Sequence, residues 1–80
     1  MDSELVRARL EQVERHVVQG QQHINSQLAL IGRLQRGKRD TSGALALLAI
    51  FERTQALHLA DRERLRVELR QDTPGAAPPR

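Results

Sequence analysis

Three histidines carry the widest chemical range in this chain. His16, His23 and His58 could ligate a transition metal, move a proton near neutral pH or pair with a carboxylate. His16 and His23 are seven residues apart, which on a helix puts them on one side about two turns apart, or ~10 Å. A histidine pair that grips one metal from a single helix sits at i,i+4 instead. No carboxylate completes a ligand set on that side, although Glu14 and Asp61 are near in level. The expectation is that His58 is a buried polar group satisfied by a neighbour, that His16 pairs with Asp61 or water, and that the chain holds no metal and no cofactor.

A second group of candidates is cationic. Arg33, Arg36, Lys38 and Arg39 cluster around Gly37, and no acid occurs between Arg15 and Arg39. Arginine and lysine are the usual phosphate contacts, and they would give salt-sensitive binding that is blind to base sequence. However, the single aromatic residue, Phe51, lies on an apolar stripe, so no stacking platform for single strands is expected. Cations in the last turn of a helix are what its dipole attracts. Nucleic acid is therefore the alternative partner, not the expected one.

Nothing resembles a catalytic set. Ser3, Ser26, Ser42, Thr41, Thr54 and Thr73 are explained by helix caps, surface, stripe or tail. Gly32, Gly37 and Gly43 lack the strand-to-helix setting of a phosphate-binding loop. The protein is expected not to be an enzyme.

The elements that must position these residues are helices. Eighty residues allow one small domain, and a core of Leu, Ile, Val and Ala with one aromatic suits helix packing better than a β-sandwich. Cysteine is absent, which removes disulfides and thiolate metal sites and fits a reducing cytoplasm. The N-terminus is charged from its second residue and lacks the basic-then-apolar order of a signal peptide. The longest apolar run, Ala44 to Phe51, is far short of the roughly 20 residues a membrane span needs. The formal charge is +3 and the pI about 11.0, a modest net charge set by many arginines.

Val6, Leu10, Val13, Val17, Ile24, Leu28, Ile31 and Leu34 recur at helical spacing, so one helix is expected over about 3–36, capped by Asp2 or Ser3. Gly37 is expected to close it in the left-handed conformation. After a turn at 37–40, Asp40, Thr41 and Ser42 can cap a second helix over about 41–71. Its inward stripe reads Ala44, Leu47, Leu48, Phe51, Thr54, His58, Leu65 and Leu69, with Ile50 and Leu57 at the border. Residues 72–80, rich in proline, are expected to form a disordered tail. Folding the arms about 38 or 39 sets opposite each other positions whose numbers add to about 77. That register places Gly20 against Leu57 or His58 and suggests that the glycine makes room for the imidazole.

The pattern Glu14-Arg15-His16-Val17, Gly20, His23-Ile24, Gln27, Leu30-Ile31, then Leu47-Leu48, Phe51, Gln55, Leu57 and His58 resembles a family of small uncharacterised proteins from proteobacteria. The resemblance covers about residues 13–69. It implies a helical hairpin and no established activity.

These readings converge on an all-α, two-helix antiparallel hairpin of coiled-coil character, non-enzymatic, bacterial and cytoplasmic. It is expected to act through self-association, as a homodimer forming a four-helix bundle. The expected interface is Leu28, Leu30, Ile31, Leu45, Leu48, Ile50 and Phe51, because apolar residues near the tip surround more of each helix than one neighbour can cover. A different protein as partner is the alternative cover.

Overall fold

The computed structural model describes residues 2–72. Two helices, α1 (Ser3–Arg36) and α2 (Ser42–Asp72), fold back on each other as an antiparallel hairpin in a rod with extents of 63 × 22 × 14 Å. The expected disorder of the proline-rich tail concerns residues beyond Asp72, which lie outside the described residues.

α1 starts where Asp2 Oδ1 accepts the Glu4 N–H at 3.0 Å, satisfying one of the four orphan donors of the first turn. Its inward positions are Val6, Leu10, Val13, Val17, Gly20, Ile24, Gln27, Ile31 and Leu34, a strict alternation of four- and three-residue steps. That is the heptad seam of a two-stranded coiled coil. α2 continues it with Ala44, Leu48, Phe51, Gln55, His58, Arg62, Leu65 and Leu69. Among the described residues, Val6, Ile31 and Leu65 are the buried apolar side chains, and Gln27 and Gln55 the buried polar ones.

The α2 seam corrects the sequence reading at two positions. Thr54 and Leu47 face solvent, and Gln55 takes the inward position in place of Thr54. The apolar residues of α2 spread around the helix, so hydrophobicity alone favours the wrong phase; the four-three spacing identifies the seam. The register is corrected too. Gly20 packs against Gln55, His16 against His58, and His23 against Phe51, so opposed positions have numbers that add to about 75. The hairpin axis thus falls between Gly37 and Lys38.

The turn also differs from the sequence reading. Gly37 stays right-handed at φ −83°, and Lys38 takes the left-handed conformation at φ 55°. The Arg39 N–H then donates to Leu34 O at 2.8 Å and the Lys38 N–H to Gln35 O at 3.0 Å. This is a Schellman closure with the left-handed position one residue later than expected. A side chain with a Cβ in the left-handed region costs about 1 kcal/mol. Lys38→Gly is accordingly expected to raise stability by roughly 0.5–1 kcal/mol, measured by urea denaturation. Gly37→Ala should be tolerated, because a Cβ there meets nothing closer than 3.5 Å.

At the start of α2, Asp40 Oδ1 accepts the Ser42 N–H at 3.0 Å and the Ser42 hydroxyl at 2.9 Å. These bonds hold the Asp40 carboxyl below the usual aspartate range, the backbone donor first. No helix among the described residues is long and apolar enough to cross a membrane.

Candidate functional site

Midway along the rod the seam turns polar. Successive levels of α2 present Gln55, His58 and Arg62, where a coiled coil usually carries aliphatic side chains. Gln55, 6% exposed, donates its Nε2 to Val17 O at 2.8 Å, and Gln27, 7% exposed, donates to Ala44 O at 2.9 Å. Each glutamine thus reaches across the seam to a backbone carbonyl of the other helix. Such bonds are satisfied in one register only, so they specify the alignment of the arms.

Gly20 makes the first of these possible. A Cβ at position 20 would overlap Gln55 Oε1 and come within 2.9 Å of Gln55 Cδ. The glycine therefore admits the Gln55 carboxamide, not the His58 ring. Gln55 Oε1 is buried without a hydrogen-bond partner, and a Gly20 Cα hydrogen, standing where the Cβ would be, faces it as a weak donor.

The same section opens on one edge of the hairpin as a cleft of about 160 Å³, lined by His16, Gln19, His23, Phe51, Thr54 and His58 among others. The rings of His16 and His58 are 5.0 Å apart between centroids at 42°, and those of His23 and Phe51 5.4 Å apart at 42°. The register thus joins His58 to His16 and leaves His23 against the phenyl ring. Asp61 is not the partner of His16: its Oδ1 pairs with Arg64 at 3.2 Å. Glu14 pairs with Arg66 at 3.7 Å. Among the described residues no three metal-ligating side chains converge.

Arg33, Arg36, Lys38 and Arg39 are all exposed around the tip. The expected interface residues do not form one patch. Ile31 is buried in the seam, and Leu48 and Phe51 are half-buried seam positions. Leu28 and Leu45 are exposed on one edge of the hairpin, while Ile50 and the half-buried Leu30 lie on the other. Sequence reading missed Gln55 and Arg62 as inward residues; the spacing Phe51, Gln55, His58, Arg62, Leu65 was the available signal.

No protein-family model, no curated protein and no solved structure matches the chain.

Proposed function

We propose that this hairpin is a non-enzymatic assembly module that pairs with a second copy of itself into a four-helix bundle. One observation carries the reading: among the described residues three apolar side chains are buried, while Leu5, Val18, Leu28, Leu45, Leu47, Ile50, Leu57 and Leu59 are exposed. Two helices cover only one side of each other, and a small domain with so little buried apolar surface has little margin of stability alone. A symmetric second copy is the commonest cover.

The exposed apolar residues divide between the two edges, but the charges do not. The edge with Val18, Leu28, Leu45 and Leu59 also carries Glu14, Glu52 and the Arg66 that pairs with Glu14. The opposite edge is uncharged over its middle stretch: His16, Gln19, His23, Ser26 and Leu30 from α1, and Leu47, Ile50, Thr54 and Leu57 from α2. An interface centre depleted of charge has this composition. This edge supports the docking surface, so Leu47 and Leu57 join the expected interface, and Leu28 and Leu45 leave it. A bacterial cytoplasmic setting belongs to the same reading, on the cysteine-free composition and the resemblance to proteobacterial hairpins.

Light scattering after gel filtration tests the proposal. The protein is expected to run at twice its chain mass, and Ile50→Glu with Leu57→Glu to halve that mass. Leu28→Glu with Leu45→Glu should leave it unchanged. A folded monomer at micromolar concentration would overturn the reading. The alternative, nucleic-acid binding through Arg33, Arg36, Lys38 and Arg39, rests on their exposure at one end of the rod. Salt-sensitive binding that reversal of Arg36 and Lys38 to Glu abolishes would favour it.

A further inference from the structure

The paired imidazoles of His16 and His58 sit on different helices, at the level where the seam is least apolar. The Gly20–Gln55 level lies on one side of them and the Val13–Arg62 level on the other. Among the described residues, neither ring has a hydrogen bond or ion pair with another protein group. Both are half-buried and border the cleft on the uncharged edge.

Their spacing can be compared with what a shared ion demands. A zinc–nitrogen bond is about 2.0–2.1 Å, and the ring centroid lies about 1.1 Å behind the nitrogen, which places the ion roughly 3.2 Å from each centroid. Two such ligands at a tetrahedral angle have centroids about 5.2 Å apart, and at a right angle about 4.5 Å. The observed 5.0 Å lies between these values. A centroid spacing in this range is what two imidazoles that share one ion require.

The geometry points to a two-histidine site in which His16 and His58 clamp one divalent transition-metal ion across the hairpin. The ligand class follows from the donors, since imidazole suits zinc, copper and nickel, and magnesium prefers oxygen. The remaining coordination positions open onto the cleft. The nearest carboxylate along α2, Asp61, is engaged with Arg64. His23 is set apart by its packing on Phe51 and takes no part. Because the two ligands come from opposite arms, the ion binds the closed hairpin and not the unfolded chain, and so strengthens the section of seam with the fewest aliphatic contacts. The site does not depend on the pairing of two copies.

The test is thermal unfolding of the full chain with zinc chloride at about 1 mM, beside calorimetric titration of the metal. The wild-type chain is expected to gain about 5 °C or more in Tm and to bind one ion per chain. His16→Ala and His58→Gln should each remove both effects, and His23→Ala should keep them. If the His58 variant fails to fold, the His16 variant decides, because His16 lies at the edge of the seam. No binding at this concentration would overturn the site. So would a Tm gain that survives His16→Ala, that His23→Ala removes as fully, or that magnesium reproduces.

Discussion

Leu65→Ala is expected to leave most of the chain unfolded at 25 °C, a loss of about 2–5 kcal/mol measured by urea denaturation followed through helical circular dichroism. Leu65 is 5% exposed, and the register sets it against Leu10 near the open end of the hairpin. Truncation removes the transfer energy of the side chain and leaves a void that two straight helices close only in part. A domain of this size seldom holds more than about 3–5 kcal/mol in its core, so one such loss consumes most of the margin. Leu57, 64% exposed, provides the contrast. Within a single hairpin, Leu57→Ala should change stability by about 0.5 kcal/mol or less. Any larger effect must come from association and should fade on dilution, whereas the Leu65→Ala defect should persist at every concentration. Equal, concentration-independent losses at both positions would contradict the division between seam and docking edge.

The difference between these leucines also marks what the sequence could reveal. In α1 the inward positions are mostly Val, Leu and Ile against a polar background, so the apolar period and the seam coincide. In α2 they part company. Leu47, Ile50, Leu57 and Leu59 are exposed, and the seam is carried through its middle by Gln55, His58 and Arg62. A search for apolar residues then drifts toward the docking edge, because that edge too is apolar. The turn was legible in its residue types and not in its conformations: both Gly37 and Lys38 could end the helix, and Lys38 takes the left-handed position despite its Cβ. The register also differs from the expected one by two residues, and with it the partner of Gly20. The pairing of His16 with His58 depends on that register, so histidine spacing along one helix could not disclose it. The need for something opposite Gly20, by contrast, was visible from sequence, since a glycine inside a helix has a known cost.

That cost gives the second large effect, a reversal of sign. Alanine is favoured over glycine inside a helix by about 1 kcal/mol, so Gly20→Ala would stabilise α1 if nothing stood against it. Here the new methyl would displace the Gln55 carboxamide. The side chain is flexible and its end can swing away, but it then gives up the bond from Nε2 to Val17 O. A buried amide that loses its partner costs about 1–3 kcal/mol. Close packing at Gly20 is lost as well, so the net effect of Gly20→Ala is expected to be a destabilisation of about 1–2 kcal/mol. In a Gln55→Ala background the obstruction is gone, and the same substitution should stabilise by about 1 kcal/mol. The double-mutant cycle then yields a coupling of roughly 2–3 kcal/mol between residues 20 and 55, well above the few tenths found for independent sites. The corresponding cycle between Gly20 and His58 should give a coupling near zero. Strong coupling to His58 and none to Gln55 would restore the register in which the glycine accommodates the imidazole, and would separate His58 from His16. The cycle thus measures in solution the alignment on which both the glutamine contacts and the two-histidine clamp depend.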